Sequence, residues 1–281
     1  MKLSRLFFYP VKACAGIELT EATVDQFGIV HDRRWLIVDP DGVALTQRDH
    51  PRMALLRPAV QNSTLQLSAP DGSVLSAEMP SANIQREVSV WNDQMVANDA
   101  GNDAAAWLSD YLEQHVRLVY MPDTTFRRVD PNYSSAERRV SFADAFPFLL
   151  VSQQSMDELN RRLPAPMGIE RFRPNIVVDG ASEPHAEDGW RRIRIGAIDF
   201  DLVKPCARCA VPTIDPQTAI AGKEPSRTLA AYRKRNGKIY FGQNAIHAEQ
   251  GTLRVGDPVI VFTPGVEAPA QTAIAGPTTA P

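Results

Sequence analysis

The sequence predicts a mainly β protein with short helices, an α+β fold in which strands dominate. Short apolar runs such as residues 35–38 end at turns rich in proline, aspartate and glycine, such as residues 39–42 and 70–72. Residues 198–203 alternate apolar and polar side chains, which is typical of a strand with one buried face. With 281 residues and 44% hydrophobic content, the chain is long enough for one large or two ordinary domains.

The first half is predicted to be an antiparallel barrel or sandwich, built from short strands over residues 1–98. Asn102 or Asp103 can cap a helix, because the apolar residues that follow recur at helical spacing: Ala104, Trp107, Leu108, Tyr111 and Leu112. Residues 122–140 are charged and interrupted by proline, which indicates a connector or a mobile loop. We therefore place the domain boundary there, with residues 1–125 in one domain and 126–262 in the other.

The second half is predicted to be another strand-rich unit with short helices. Ser152 can cap a helix that carries Met156, Leu159 and Leu163, and Gly237 is expected to end a further helix over residues 226–236. Strands are predicted at residues 148–151, 176–178, 193–195, 198–203, 239–241 and 259–262. Residues 263–281 contain little but proline, alanine, threonine and glycine, so we expect a disordered tail.

The overall composition argues against several classes of function. The net charge is −3, from 30 basic and 33 acidic residues, so there is no bulk electrostatic case for binding nucleic acid or an anionic membrane. Three cysteines do not make a disulfide framework, and they favour a reducing compartment. The apolar run at residues 6–11 is too short to span a membrane, and no signal-peptide cleavage pattern follows it. We therefore expect a cytoplasmic protein.

The segment with the clearest chemical signal is residues 204–209, which contains Cys206 and Cys209 beside Lys204 and Arg208. Neighbouring cations favour the thiolate, the form of cysteine that ligates metals or attacks substrates. The pair fits half of a zinc site, a redox pair, or one ligand cysteine with a bystander. Zinc needs four ligands, whereas the other cysteine and the five histidines are scattered, and the prolines that follow predict a loop rather than the helix of a redox pair. Two inert, small apolar side chains are the remaining alternative.

Two further groups of cations are candidates for anion binding. Lys12 lies in a turn bounded by proline and glycine, and Arg33 or Arg34 could add a forked contact to a phosphate. Arg173 and Asn175 come immediately before a buried strand. The cations of either group could also simply be solvated. For Arg173, an ion pair with Glu170 or Asp179 is a further alternative. Three side chains are conceivable proton donors, although structural roles are more common for such residues: Asp144, Asp215 and His247.

Eight short motifs together resemble the MOSC-domain proteins that carry a MOSC N-terminal β-barrel domain, the group that includes the amidoxime-reducing components and their bacterial relatives. They extend in a fixed order from residue 2 to about 262 and comprise Tyr-Pro-Val-Lys (9–12), Asp-Arg-Arg-Trp (32–35), Leu-Thr-Gln-Arg (45–48), Phe-Arg-Pro-Asn (172–175), Cys-x-Arg-Cys (206–209), Thr-x-Asp-Pro (213–216), Phe-Gly-Gln-Asn (241–244) and Val-Gly-Asp (255–257). The resemblance implies an N-terminal β-barrel domain, a MOSC β-barrel domain and a molybdenum cofactor, molybdopterin with Mo.

The resemblance also implies roles for particular residues. The second cysteine of the Cys-x-Arg-Cys motif ligates the metal in this family, which makes Cys209 both the metal ligand and the catalytic residue. Lys12 and Arg33 match residues that hold the cofactor phosphate, and three residues match those that line the cofactor: Arg173, Asn175 and Arg208. Ala13 stands where a serine often follows the lysine, so backbone N–H groups are expected to replace the missing hydroxyl.

The implied activity is that of a molybdenum-dependent oxidoreductase that reduces N-hydroxylated compounds, namely amidoximes, hydroxylamines or N-hydroxylated base analogues. The Cys-x4-Cys-x2-Cys signature of a plant-type ferredoxin does not follow Cys209. We therefore expect a monomer that takes electrons from a separate iron–sulfur or flavin donor protein. Two alternatives remain: a carrier of the molybdenum cofactor or of sulfur without its own turnover, and a zinc-stabilised or metal-free pair of ligand-binding barrels.

Overall fold

The computed structural model describes residues 1–134 and 137–262, so the predicted tail at 263–281 lies outside the described residues. The strands of the first half are β1 (Lys2–Phe8), β2 (Ile17–Leu19), β3 (Glu21–Asp25), β4 (Gly28–Ile29), β5 (Trp35–Val38), β6 (Arg57–Gln61), β7 (Thr64–Ser68), β8 (Val74–Glu78), β9 (Gln85–Val90), β10 (Asp93–Asp99) and β11 (Arg117–Tyr120). Those of the second half are β12 (Phe148–Ser152), β13 (Ile176–Asp179), β14 (Arg192–Ile195), β15 (Ile198–Ala207), β16 (Lys234–Arg235), β17 (Lys238–His247), β18 (Gly251–Arg254) and β19 (Val259–Val261).

Three α-helices and four short 3₁₀ helices complete the described chain. The α-helices are α1 (Asn102–Leu112), α2 (Gln153–Arg162) and α3 (Ser226–Tyr232), and the 3₁₀ helices are Pro51–Leu55, Ile169–Phe172, Ala186–Asp188 and Val211–Thr213. The prediction of a mainly β fold with short helices is confirmed. In the described ranges, no helix has both the length and the apolar character needed to cross a membrane.

The largest sheet has the strand order β19-β14-β15-β17-β12-β13-β1-β2, with β16 paired to β17. The other sheets are β5-β11-β10-β9, β18-β3-β4 and β6-β7-β8. Strands β1 and β13 are antiparallel, with Leu6 opposite Ile176, and β3 pairs with β18 near the end of the described chain. The first 30 residues therefore complete sheets of the second half, and backbone hydrogen bonds connect the segments before and after residue 125. The domain boundary at that residue stays a prediction.

Two helix predictions are confirmed in position, and one is wrong in length. Ser152 caps α2 by accepting a hydrogen bond from the Ser155 N–H, as predicted, whereas α1 is capped by Gly101 rather than by Asn102 or Asp103. The Asp99 side chain accepts the Gly101 N–H at 2.7 Å and so fixes the entry to α1. Helix α3 ends at Tyr232 because the chain then forms the β16–β17 hairpin.

The segment between β11 and β12 is fixed by a buried arginine rather than being an independent loop. The Arg127 guanidinium donates to the carbonyl oxygens of Ser141 at 2.8 Å and Asp144 at 3.0 Å, and its Nε donates to the Asp93 carboxylate at 2.8 Å. Arg127 is buried, so these hydrogen bonds replace those that the guanidinium would make with water. The backbone at residue 144, which borders the site described next, is thereby held against β10.

Candidate functional site

One cleft of about 570 Å³ brings together all six residues that the sequence singled out as cofactor or metal ligands. Four segments supply them, namely the turn after β1, the turn after β4, the residues just before β13 and the end of β15: Lys12, Arg33, Arg173, Asn175, Arg208 and Cys209. The pairing of β1 with β13 explains how residues so far apart in the sequence meet. Arg34, the alternative to Arg33, points elsewhere and donates to the Met121 carbonyl.

Lys12 provides a buried cation at one side of the cleft. Its Nζ donates to the carbonyl oxygen of Phe142 at 2.8 Å and to the Asp144 carboxylate at 2.6 Å. Burial lowers the pKa of the Lys12 ammonium, although the neighbouring Asp144 acts in the opposite direction. In return, Lys12 holds the pKa of Asp144 well below its usual range. The Asp144 side chain is 71% exposed, so water can solvate its carboxylate if another anion takes its place beside the ammonium.

Arg33 and Arg173 lie on the ring of Tyr9, each with its guanidinium carbon 4.3 Å from the ring centroid. Arg33 also donates to the Asn175 side-chain oxygen at 2.9 Å, and Arg173 donates to the Cys14 carbonyl at 2.6 Å. Burial lowers the pKa of Arg173, and the charge of Arg33 lowers it further. The buried Asp32 carboxylate is ion-paired with Arg33 and offsets one of the two charges. The pair of guanidinium groups and this one carboxylate leave a net positive charge beside the cleft, which a bound anion would stabilise.

The ion pairs considered for Arg173, with Glu170 or with Asp179, are not formed among the described residues. Asp179 accepts from the Gln154 side chain at 2.8 Å and from the Gly180 N–H at 2.8 Å. Glu170 lies in the 3₁₀ helix before Arg173 with its carboxylate against Gly168, and the Arg173 guanidinium donates to the Cys14 carbonyl instead. Arg173 is thus left without a carboxylate partner in the described chain, as expected for a residue that meets an external anion.

The two cysteines occupy different positions. Strand β15 continues to Ala207 and pairs with β17, so it is longer than the strand predicted over residues 198–203. Cys206 lies in the strand, and its Sγ accepts a hydrogen bond from Arg208 Nη1 at 3.0 Å. Cys209 lies two residues beyond the strand and is exposed to the cleft. A 3₁₀ helix, Val211–Thr213, follows it, and no helix begins at Cys206, which disfavours the redox pair of the thioredoxin type.

Arg208 carries a buried polar atom without a partner. Its Nη2 donates to the Phe172 carbonyl at 2.8 Å, whereas its Nε has no hydrogen-bond partner among the described residues. A buried N–H without an acceptor is rare and costly in a native protein. Because Arg208 lines the cleft, the missing acceptor fits a ligand bound there.

Other candidate residues lie away from the cleft or have structural roles. His247 is buried with Nε2 2.7 Å from the Asp25 carbonyl oxygen, and it does not line the cleft. Asp215 accepts the backbone N–H groups of Gln217 and Thr218, which is the geometry of a turn residue. Burial raises the pKa of the Cys14 thiol to about 12, so this side chain stays protonated. Within residues 1–134 and 137–262, no group of three or more His, Cys, Asp or Glu side chains could hold a metal ion.

The structure adds several cleft residues whose role the sequence did not reveal. Arg48 and Lys204 raise the number of lining cations to six, against Asp144 as the single acidic residue of the lining. Four aromatic residues also line the cleft, of which Trp91 is exposed and three phenylalanines are buried: Phe146, Phe148 and Phe172. A tryptophan in a short turn between two strands was the available signal for Trp91, since that position favours asparagine or glycine.

Backbone strain is concentrated around the same cleft. Ten non-glycine residues have positive φ in the described chain, and four of them line the cleft: Ala13 (68°), Arg33 (49°), Trp91 (58°) and Arg173 (56°). Such conformations cost free energy and persist where the surrounding structure enforces them, often at functional sites. The strain at Arg33 and Arg173 accompanies the close approach of both guanidinium groups to one aromatic ring.

The donor set therefore fits an anionic ligand that also contains a soft metal. Six cations and an unpartnered N–H suit a phosphate or a comparable anion. An exposed thiol at the same cleft suits a metal that prefers sulfur ligands. Both properties are required of a site for a phosphorylated dithiolene cofactor, and the residues present fit that group.

Comparisons with known proteins agree with the architecture. Residues 1–115 match the MOSC N-terminal beta barrel domain, and residues 137–260 match the MOSC domain. Mitochondrial amidoxime-reducing component 1 of Mus musculus is 35% identical over 280 residues, which cover 92% of this chain and 82% of that protein. Component 2 of Rattus norvegicus is 34% identical over 278 residues, and component 1 of Homo sapiens is 33% identical over 279, both with the same coverage. The chain thus belongs to the family of MOSC proteins with a MOSC N-terminal β-barrel domain that includes the amidoxime-reducing components.

Proposed function

We propose that this protein is a molybdenum-cofactor-dependent reductase of N-hydroxylated compounds, acting as a cytoplasmic monomer with a separate electron donor. The observation that carries the proposal is the combination, in one cleft, of an exposed cysteine and six cations with a single acidic residue. The names of the relatives support amidoximes as one substrate class. Hydroxylamines and N-hydroxylated base analogues contain the same N–OH bond and are included.

Cys209 would ligate the metal, and the cations would hold the anionic part of the cofactor. Lys12 and Arg33 are assigned to the phosphate from the family resemblance, and the buried Lys12 ammonium, whose carboxylate partner Asp144 is exposed, supports this. Arg173, Asn175 and Arg208 are assigned to the rest of the cofactor, with the Arg208 Nε as a donor that still lacks an acceptor. When bound, a molybdenum cofactor supplies the two-electron chemistry that takes oxygen from an N–OH group.

The overall reaction converts an amidoxime, two electrons and two protons into an amidine and one water molecule, with cleavage of the N–O bond. The electrons come from a separate iron–sulfur or flavin protein. The chain's own contribution is to orient and desolvate: the cations fix the cofactor, while the aromatic side chains Phe146, Phe148 and Phe172 exclude water from part of the cleft.

The experiment measures molybdenum and zinc in protein from a host that makes the pterin cofactor and is supplied with molybdate. We expect about one molybdenum per wild-type chain, little zinc, and reduction of benzamidoxime with a chemical electron donor. Cys209→Ser should abolish turnover because it removes the proposed metal ligand. Lys12→Met should weaken cofactor binding at least about tenfold and so lower the molybdenum content, since a hydrogen bond to a charged group contributes about 1.5–3 kcal/mol. Lys238→Met, at an exposed position outside the cleft, should match wild type.

Each alternative has its own result. If the purified protein contained zinc and no molybdenum, the reductase proposal would be rejected in favour of a zinc-stabilised pair of barrels. A loaded protein whose reduced centre is not oxidised by benzamidoxime in stopped flow would instead be a carrier of the cofactor. Full activity in loaded Cys209→Ser protein would contradict the assignment of Cys209, and loss of activity in Cys206→Ser alone would transfer that assignment to Cys206.

A further inference from the structure

Trp91 occupies an unusual position for a tryptophan. It lies at the tip of the β9–β10 hairpin, where Val90 pairs with Asp93 and leaves a two-residue turn. Its φ is 58°, in the left-handed region that asparagine and glycine adopt most readily in such turns. The residue is 56% exposed, so burial offsets little of this conformational cost. A strained and exposed large side chain points to a role outside the core.

Contacts with the cleft fix the orientation of the indole. Its Nε1 donates to Asp144 Oδ1 at 3.2 Å, and the Arg48 guanidinium carbon lies 4.7 Å from the ring centroid. Asp144 is in turn bonded to Lys12, and Trp91 lines the same cleft as Cys209. The hydrogen bond to Asp144 fixes one edge of the indole, and Arg48 lies against one face of it. More than half of the residue's surface remains exposed.

We propose that Trp91 determines specificity for planar aromatic or heteroaromatic N-hydroxylated substrates, such as aryl amidoximes and N-hydroxylated bases, over aliphatic ones. The inference rests on the proposed function and names the substrate class of that site. A flat conjugated ring stacks on an indole, whereas a methyl group gains little from it. Phe146 and Phe172 also line the cleft but are buried, 7% and 0% exposed, so Trp91 is the aromatic lining residue with an open ring.

The test compares binding of benzamidoxime and acetamidoxime, which share the neutral amidoxime group and differ in the ring. Calorimetry is done on oxidised, molybdenum-loaded protein without an electron donor, so that no turnover occurs. Trp91→Ala should weaken benzamidoxime binding about tenfold, within the range of aromatic stacking energies, and acetamidoxime binding less than about twofold. Trp91→Phe should retain benzamidoxime affinity within about threefold, because a smaller ring still stacks.

Phe126 provides a matched control, because it is an aromatic residue that is 45% exposed and does not line the cleft. Like Trp91, it has an arginine against its ring, with the Arg139 guanidinium carbon 4.9 Å from the ring centroid. Phe126→Ala should leave both affinities unchanged, and all variants should contain equal molybdenum. In steady-state turnover, Trp91→Ala should raise the KM for benzamidoxime about tenfold and leave kcat within about twofold, the pattern of lost uniform binding.

Two results would overturn the inference. Equal weakening of both compounds in Trp91→Ala would mean that the indole acts through Asp144 and Lys12 rather than by stacking. Wild-type protein that binds benzamidoxime no more tightly than acetamidoxime would remove the aromatic preference itself. Failure of the proposed function is a different outcome: the wild type would bind but not reduce either compound, and the binding comparison would still decide the role of Trp91.

Discussion

The charge state of His247 is set by its burial. Its ring packs edge-on against Phe148 with the centroids 5.4 Å apart, and Nε2 lies 2.7 Å from the Asp25 carbonyl oxygen, to which the neutral ring donates. Nδ1 has no hydrogen-bond partner among the described residues. Burial lowers the pKa of His247 to about 4, so the side chain is neutral at pH 7. It therefore stabilises the fold as an uncharged donor, rather than supplying protons to the cleft.

Stability should depend on pH through this side chain. The unfolded chain binds the His247 proton below its ordinary pKa of 6.5, whereas the folded protein does so only below about pH 4. The contribution of neutral His247 to the free energy of unfolding is therefore complete above pH 6.5. Up to about 3 kcal/mol of it is lost as the pH falls to 4. Urea unfolding between pH 7 and 4 should show this loss in wild type and not in His247→Gln.

The control for this measurement is His115→Gln, at an exposed histidine, which should follow the wild-type curve. His31 and His185 are present in both variants and cancel in the comparison, although burial lowers the pKa of each. If His247→Gln lost stability with acid in parallel with wild type, His247 would not be the group responsible.

The residues of the cleft show what a sequence can and cannot reveal about a site. Arg208 and Cys209 stood out by themselves, because cations beside cysteines are a chemical signal that is contained in one short segment. Lys12 and Arg173 gained meaning only from the fixed order of motifs, since a lysine in a turn is usually solvated. Trp91 remained unnoticed because its hydrogen bond to Asp144 joins residues 53 positions apart and exists only in the folded chain.

Among the secondary-structure elements, local periodicity predicted the strands and helices with an apolar face. Strands β12, β13 and β14 and helices α1 and α2 occur where predicted. The helix predicted to continue to residue 236 ends at Tyr232, because Asn236 and Gly237, both at positive φ, form the turn of the β16–β17 hairpin. Asn-Gly is a strong hairpin signal, which competes here with the helix-ending role of glycine.

Strand β17 contains a glycine whose replacement should be costly. Gly242 has φ of 79°, and an added Cβ would lie 2.8 Å from the Leu150 carbonyl oxygen and 2.8 Å from the Val151 side chain. Gly242→Ala should therefore lower the free energy of unfolding by about 3 kcal/mol, from backbone strain plus the clash. The measurement is urea unfolding at pH 7.

A matched glycine separates the two causes. Gly72 has a similar φ of 86°, but nothing lies within 4 Å of an added Cβ, so Gly72→Ala should cost only the strain, about 1 kcal/mol. Similar losses in the two variants would mean that β12 moves aside without cost, contrary to the tight packing inferred here.

At the scale of the complete chain, the first 30 residues are structural parts of the second half. Residues of β1 and β3 share one apolar core with β12–β15 and β17–β19, including Leu3, Leu6, Val24, Phe148 and Ile176. Pairing between segments so distant in the sequence is set by tertiary packing, and the short apolar runs do not specify their partners. This is why the sequence predicted two strand-rich units but not the exchange of strands between them.

A fragment of residues 126–262 should therefore not fold on its own. Without residues 1–125, β13 loses its hydrogen bonds to β1, β18 loses those to β3, and the shared core is exposed to water. We expect no cooperative thermal transition by circular dichroism for the fragment, and a single sharp one for residues 1–262. A cooperative transition in the fragment would show that residue 126 begins an autonomous domain.

The joining of β1 to β13 also sets an order of events during biosynthesis. Lys12 emerges from the ribosome long before Cys209, and β15 obtains its partner β17 only after His247 has been made. A ligand that needs both Lys12 and Cys209 therefore finds its complete set of contacts only after β17 has been made. Segments from both halves of the described chain must therefore meet before the cleft can hold such a ligand, and until then the Arg208 Nε has no acceptor among the described residues.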